Sequence, residues 1–444
     1  VAAPCGIVAI QSPNTLAYVT TLLRYWHQGF TVLPLDPKIP RAEIDALLTQ
    51  ESITQELYAE DLRLLDVAVD SRNGHTVDPA NWVKMEQPVS LIRTSGSSAY
   101  PKLAQHTWAN HVFSARGSQH YLPLTPQDSW LLSLPLFHVG GLAIVVRSWL
   151  AGATIQVPDP DQSLAEAILC FRPSHLSLVP TQLQRLLRSE ETRQALQGCR
   201  AILLGGAPAS ATLLKDAQAA DLPIHTSYGS TEMSSQITTT PPGFWQRTPV
   251  EADRLLSGMP LPYRKVRIVQ GQVQVRGKTL FQGYRYQGQL TLPLNEEGWL
   301  NTGDLGVWHE EQLQITGRQD YQFISGGENI QPEEVERHLL GCPGVLDAMV
   351  VPVEDAEFGQ RPVAFLKVQD KAILSGDVVS FLAEVTAFLR QHLPKFKVPM
   401  AFYPWPEHLQ GHRLKPGRKD FQQQGQVLWQ SSRTLDVIWR DMLR

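Results

Sequence analysis

Along the first three hundred residues, apolar runs of strand length alternate with stretches in which apolar residues recur every three or four positions. A strand shows a short run or a period of two, whereas a helix buries one stripe of period 3.6, so the two patterns separate the elements. Residues 6–10 (GIVAI) read as a strand, 15–28 as a helix, and 32–35 (VLPL) as a strand closed by the proline-rich segment 36–40. The same order returns at 174–179 with 181–188 and at 201–204 with 210–219. Strands that each feed a helix pair in parallel through crossovers, which predicts an α/β domain.

Near residue 266 the pattern changes to short alternating strands, such as 265–268 and 272–275, separated by Gly- and Asn-containing turns as far as 315. This predicts a small β subdomain. After Gly317 come a helix at 332–340, strands at 348–353 and 363–367, and a helix at 378–392, which places a boundary close to Asp320. The expected fold is α/β, with a large N-terminal domain of mixed sheets flanked by helices (1–318) and a small α+β C-terminal domain (319–444).

Composition narrows the partners. With 444 residues, 43% of them hydrophobic, the chain can build two to four domains, and 39 Lys plus Arg against 43 Asp plus Glu leave no basic footprint for nucleic acid or an anionic membrane. Small molecules are the expected ligands, and a homodimer is compatible with this reading. Four cysteines, Cys5, Cys170, Cys199 and Cys342, stand far apart with no metal-ligand or disulfide spacing, which suits a reducing compartment. The most apolar stretch, 142–157, contains Arg147 and falls short of the ~20 residues of a membrane span. The first residues lack a basic segment followed by an apolar core, so a cytoplasmic location is expected.

The chemistry concentrates in a few segments. TSGSSAYPK at 94–102 follows a strand-like 89–92; its hydroxyls, backbone N–H groups and Lys102 can wrap a polyphosphate, although the P-loop spacing is absent and a Ser/Gly turn alone is usually a plain loop. YGSTE at 228–232 follows a strand at 224–226 and offers one carboxylate beside hydroxyls, a donor set for Mg2+. Asp304 in NTGD (301–304) is expected at a tight turn, where it can accept from ribose hydroxyls, and GRQD (317–320) at a second turn. KPGRK (415–419) is a cationic loop able to reach a phosphoryl group, or else a solvated basic tail. Arg147 in an apolar helix-like run needs an anion or several acceptors; it either holds a substrate carboxylate, or snorkels or pairs with a structural acid.

Taken in order, TSGSSAYPK, PLFHVGG (135–141), GGAP (205–208), YGSTE, NTGD, GRQDYQFISGGENIQPEEVE (317–336) and FGQRPVAF (358–365) resemble the acyl-adenylate-forming superfamily of acyl-CoA synthetases, adenylation domains and luciferases. The resemblance spans almost the whole chain. Within the superfamily the chain looks most like the o-succinylbenzoate-CoA ligases of menaquinone or phylloquinone biosynthesis, on its compact length, the SSQ at 234–236 and Arg147.

The resemblance implies ATP, Mg2+ and coenzyme A as reactants and an aromatic dicarboxylate as substrate. It implies Thr94, Ser95, Gly96, Ser97, Ser98 and Lys102 at the β and γ phosphates, Thr231 at the α-phosphate and Glu232 at Mg2+. Gly205, Gly206, Ala207 and Tyr228 would line the adenine pocket, with Asp304 and Arg318 at the ribose. Arg147, His138, Ser235 and Gln236 would form the acid pocket, where His138 is either a gate or a histidine satisfied in the core. Asp320 matches a hinge for a mobile C-terminal lid, and Gly326, Gly327 and Glu328 would face pantetheine. Lys415 matches the lysine that bridges acid and α-phosphate, with Lys419 as rival, because the preceding residue is Leu414 rather than glycine. Ala99 stands where the superfamily usually has glycine. Three other readings share these motifs: a synthetase for another aromatic or medium-chain acid, a catalytically weak nucleotide-binding member, and an adenylation domain that loads a carrier protein.

Overall fold

The computed structural model describes residues 6–62, 83–94, 102–251, 253–368, 378–406 and 417–431. The chain opens with β1 (Ile7–Gln11), α1 (Leu16–His27), β2 (Thr31–Leu35), α2 (Arg41–Glu51) and β3 (Gln55–Tyr58), followed by β4 (Pro88–Arg93), β5 (Leu103–Thr107) and α3 (Trp108–Ser118). Thr15 starts α1 by accepting from the Tyr18 N–H at 3.0 Å, satisfying one of the donors a helix N-terminus leaves unpaired. β1, β2, β3 and β4 pair in parallel, as the crossover pattern implies. β5 returns antiparallel to β4, so 94–102 is the connection of a hairpin whose mouth is closed by Thr94 N–H on the Lys102 carbonyl at 3.0 Å.

A second run supplies β6 (Ser129–Leu131), α4 (Val139–Ala151), β7 (Thr154–Gln156), α5 (Leu164–Phe171), β8 (His175–Leu178), α6 (Pro180–Leu186), α7 (Glu190–Gln197), β9 (Ala201–Leu204), α8 (Ala211–Ala219), β10 (Ile224–Ser230) and β11 (Ser235–Thr239). Its strands β6 to β10 are parallel, and β8 and β9 are buried along their whole length, the signature of a sheet covered on both faces. Trp26, Trp108 and Trp130 are at most 1% exposed in the core that joins the two layers. Each contributes upward of roughly 2 kcal/mol of apolar burial. β10 runs past the expected end at 226 because Tyr228, Gly229 and Ser230 pair with β11 through a bulge.

Beyond α9 (Phe244–Arg247) and β12 (Met259–Pro260), the expected β subdomain is a four-stranded sheet of β13 (Arg264–Val269), β14 (Gln272–Gly277), β17 (Leu300–His309) and β18 (Gln312–Arg318). Between them β15 (Gly283–Tyr286) and β16 (Gln289–Thr291) extend the first sheet beyond β5. NTGD, expected at a tight turn, lies inside β17. Its turn character survives as a local irregularity, in which Gly303 takes φ +74°, Asn301 Oδ1 accepts from the Gly303 N–H and Thr302 Oγ1 from the Asp304 N–H.

The C-terminal residues form β19 (Phe323–Ser325), β20 (Glu328–Ile330), α10 (Pro332–Leu339), β21 (Val345–Asp355), β22 (Gly359–Val368), α11 (Val378–His392), β23 (Phe402–Pro404) and α12 (Arg418–Gln430). They build a core of their own around Val335, Leu339, Val350, Leu366 and Leu389. Gln331 and Arg337 donate back to the carbonyls of Arg318 and Thr316, and Glu333 accepts from the Arg318 N–H. Among the described residues, no helix is long and apolar enough to cross a membrane.

Candidate active site

One short stretch, Tyr228 to Gln236, reaches three polar clusters. It begins as the end of β10, passes a 3-10 turn over Thr231–Met233 and continues as β11. Two consecutive non-glycine residues there, Ser234 (φ +55°) and Ser235 (φ +103°), hold backbone angles that cost energy and persist only where the surroundings impose them. Ser114 donates to the Ser234 carbonyl at 2.6 Å, and Ser234 Oγ donates to the Thr279 carbonyl at 2.9 Å.

In the first cluster the Tyr228 hydroxyl donates to Asp304 Oδ2 at 2.6 Å, and Arg318 Nη1 donates to Asp304 Oδ1 at 3.0 Å. Arg318 also reaches Asp320 at 3.3 Å. Burial, then the Asp304 charge, holds the Tyr228 phenol well above its ordinary value, so it stays a donor. The turn 205–207 lies alongside: a Cβ on Gly205 would stand 3.4 Å from the Ser227 carbonyl oxygen, and Gly206 takes φ +79°.

The second cluster joins the ends of the 94–102 connection to Glu232. Tyr284 donates to Glu232 Oε1 at 2.6 Å, and Lys102 Nζ lies 5.2 Å from the centre of the Tyr284 ring. Tyr284 was not singled out from the sequence; its signal is an aromatic at alternate positions of GYRY in β15. Ser230 Oγ is buried without a hydrogen-bond partner among the described residues. Ser95 to Ser98, Ala99 and Lys415 lie outside the described residues.

The third cluster surrounds Arg147 on α4. This side chain is 3% exposed; its Nη2 donates to Ser235 Oγ at 3.2 Å, its guanidinium sits 5.4 Å over the Trp130 ring, and its Nε has no partner among the described residues. Burial pushes it down to about 9 from 12.5, still cationic near neutrality. Arg264 is buried nearby and likewise pushed down to about 9, by burial and then by Arg147. It differs in being matched by the carbonyls of Gln236, Pro262 and Ser114 at 2.6–3.1 Å. Among the described residues Arg147 is therefore left with the Ser235 hydroxyl as its hydrogen-bond partner and an unpaired Nε. The Gln236 amide bonds Ser118 and Thr239, so its polar atoms hold neighbouring strands and helices. His138 is exposed at the N-cap position of α4, its ring 4.6 Å from Phe137.

Farther along, Gly326 (φ +59°) and Gly327 (φ +89°) form the two-residue tip of the β19–β20 hairpin, a turn that needs both in the left-handed region. Asp320 is exposed in the 3-10 turn that follows β18. Arg418 begins α12 and is anchored on Glu336 at 2.7 and 3.1 Å, while Lys419 is exposed in the same turn.

The chain belongs to the AMP-binding enzymes: residues 3–285 match that family and residues 334–411 match the AMP-binding enzyme C-terminal domain. It is an AMP-forming acid–thiol ligase, as the ordered motifs led us to expect. Similar proteins include the 2-succinylbenzoate–CoA ligase of Salmonella typhimurium, 37% identical over 93% of this chain and 85% of the relative, and that of Bacillus subtilis, 33% identical over 80% and 73%. Among solved structures, E. coli MenE with bound OSB-AMS superposes with a TM-score of 0.78 at 32% identity, over 96% of this chain and 89% of the other. The Bacillus subtilis o-succinylbenzoate CoA synthetase in complex with the acyl-adenylate intermediate OSB-AMP gives 0.76 at 28% identity, over 98% and 90%. The same enzyme in complex with ATP and magnesium ion gives 0.74 at 28% identity, over 91% and 86%.

Proposed function

We propose that this ligase activates o-succinylbenzoate, an aromatic dicarboxylate, and passes the acyl group to coenzyme A, serving menaquinone or phylloquinone biosynthesis. The observation that carries the substrate is Arg147, a buried guanidinium with one serine hydroxyl as its hydrogen-bond partner and an unpaired Nε among the described residues. A cation left so poorly compensated is costly, and a second carboxylate on the substrate supplies the missing charge. The named relatives, the OSB-AMS bound to E. coli MenE and the acyl-adenylate intermediate OSB-AMP bound to the Bacillus subtilis enzyme support the same acid.

In this reading one carboxylate attacks the α-phosphorus of ATP and pyrophosphate leaves; the coenzyme A thiol then attacks the acyl carbon and AMP leaves. Arg147 and Ser235 hold the other carboxylate, and His138 shapes the mouth of the acid pocket. Thr94, Ser95, Gly96, Ser97, Ser98 and Lys102 cradle the β and γ phosphates, and Thr231 orients the α-phosphate. One carboxylate beside hydroxyls fits Mg2+, which keeps several waters and phosphate oxygens; Glu232 would hold it, and it would neutralise phosphate charge. Tyr228 with Gly205, Gly206 and Ala207 frames the adenine. Asp304, fixed by Tyr228 and Arg318, presents a carboxylate to the ribose.

Lys415 bridges acid and α-phosphate during the first step. Residues 319–444 act as a lid that turns about Asp320, after which Gly326 and Gly327 allow pantetheine to approach the backbone closely. The test is pyrophosphate release by the purified protein with ATP, Mg2+ and coenzyme A, comparing o-succinylbenzoate with benzoate and octanoate. Selective turnover of o-succinylbenzoate, lost in Lys415→Ala, is expected; preference for either monoacid overturns the assignment.

A further inference from the structure

Directly beyond the 94–102 connection, β5 carries a histidine that the proposed reaction does not use. His106 is fully buried, and its Nε2 lies 2.7 Å from the carbonyl oxygen of Thr231. A carbonyl oxygen only accepts, so Nε2 carries a proton and donates it. On the other side of the ring, His106 Nδ1 is 3.4 Å from Ser90 Oγ, which is itself 2.9 Å from His111 Nε2. Ser90 is 0% and His111 1% exposed. One ordering satisfies all three groups: His111 Nε2–H donates to Ser90, the Ser90 hydroxyl donates to His106 Nδ1, and His106 Nε2–H donates to Thr231. A serine that donates to Nδ1 selects the Nε2–H tautomer. Burial holds both rings below the ordinary histidine range, His106 at about 4, so each has a single ring proton at neutral pH.

The carbonyl held in this way is a pivot. Thr231 opens the 3-10 turn that presents Glu232, and its carbonyl also accepts from the Ser234 N–H at 3.1 Å as the chain enters the strained Ser234–Ser235 pair. A turn with two consecutive non-glycine residues at positive φ keeps its shape only while its carbonyls are held. The Glu232 carbonyl is held in the same manner by the Phe281 N–H at 2.8 Å. His106 thus spans the hairpin that carries Thr94 and Lys102 and the turn that carries Thr231 and Glu232.

We infer that His106 is a positioning residue for the magnesium–ATP site, fixing the Thr231–Glu232 turn against the phosphate-binding hairpin through its Nε2–H, with Ser90 and His111 setting its tautomer. The inference rests on the proposed roles of Thr231 and Glu232, and it does not depend on which acid is activated.

The test compares His106→Leu, which removes the donor, with His106→Gln, whose amide places an N–H near the position of Nε2. Magnesium–ATP binding is measured calorimetrically with no acid present, and the two half-reactions separately, as ATP–pyrophosphate exchange and as thioester formation from supplied acyl-adenylate. His106→Leu is expected to weaken magnesium–ATP binding and exchange roughly 10–100-fold, the range found when an outer-shell partner of a metal site is removed. Thioester formation should change by less than about threefold, and His106→Gln should recover most of the loss. Equal loss in both half-reactions, or unchanged magnesium–ATP binding, overturns the inference. Should His106→Leu not fold, nitrogen NMR of the wild-type histidines decides: His106 in the Nδ1–H tautomer overturns it. A wrong substrate assignment shows up separately, as wild-type exchange with some acid other than o-succinylbenzoate.

Discussion

Arg147 Nη2 meets Ser235 Oγ at 3.2 Å, and Ser235 holds that hydroxyl in place from a backbone at φ +103°. A buried cation and a strained residue face each other, each carrying a cost that the fold does not recover. Removing the cation should therefore separate stability from function. Arg147→Met should leave the free protein as stable as wild type or more so, since an uncompensated buried charge is replaced by an apolar chain of similar reach. The same change should raise the KM for o-succinylbenzoate by roughly 10–100-fold, the worth of a charge-assisted hydrogen bond. Arg264→Met should do the reverse to stability, because it strips the carbonyls of Gln236, Pro262 and Ser114 of their donor. Thermal unfolding of both variants checks this, and equal destabilisation by the two would refute it.

Asp304 receives Tyr228 and Arg318 on separate oxygens, which fixes the plane of its carboxylate. Tyr228→Phe should weaken ATP binding by up to roughly 10–100-fold, with no change in the KM for the acid, since a hydrogen bond to a charged group is worth about 1.5–3 kcal/mol. Asp304→Asn should weaken it further. Initial-rate kinetics at saturating acid distinguish this outcome from a general loss of activity.

Gly229 sits in the bulge between β10 and β11, where an added Cβ would come within 2.2 Å of the Ser235 carbonyl oxygen. Backbone cannot move aside cheaply, so Gly229→Ala should destabilise the protein by about 1–3 kcal/mol and displace Ser235. Loss of affinity for the diacid should accompany a lowered unfolding temperature. A variant with wild-type stability and affinity would show that the strands splay freely.

Acid should unfold the protein earlier than its net charge suggests. His106, His111, His175, His225 and His338 are all held below 6.5, chiefly by burial. The unfolded chain takes up protons near pH 6.5 that the folded chain refuses until about pH 4 at His106, so their stabilisation is complete above pH 6.5 and is lost as pH falls. Asp216, Glu333 and Asp347, raised by burial, act in the opposite sense, and Asp347, pushed up to about 6, favours the folded state at low pH. Among the described residues that titrate in this window five groups oppose three, so the unfolding temperature should fall steadily between pH 6.5 and 4.5. A flat profile across that window would contradict the balance.

The sequence carried the architecture further than the wiring. Apolar runs such as VLPL and AILL marked β2 and β9 because strands covered on both faces have no polar alternation to blur them. The hairpin return of β5 was hidden: LAQHT contains three polar side chains, Gln105, His106 and Thr107, and polar residues inside a run read as surface. His106 is buried only because Ser90 and the Thr231 carbonyl, 16 and 125 residues away, meet it there. Asp304 was legible as an acid beside a glycine, but its place within a strand was not. The turn residues of NTGD dominate the local pattern, while the pairing with β14 and β18 is decided by distant segments. Arg147 was legible as an anomaly; that its hydrogen bond among the described residues goes to Ser235 depends on strain no local pattern encodes.

The central claim is that Arg147 selects an acid with a second carboxylate. The direct measurement is thioester formation by wild type and by Arg147→Met, comparing kcat/KM for o-succinylbenzoate with that for its two monocarboxylic analogues, 4-oxo-4-phenylbutanoate and 2-butanoylbenzoate. Wild type should prefer the diacid to whichever analogue keeps the reacting carboxylate by roughly 10-fold or more, and in the variant that preference should collapse toward unity with the monoacid rate retained. A variant that keeps the wild-type preference, or that loses diacid and monoacid turnover alike, would contradict the role assigned to Arg147.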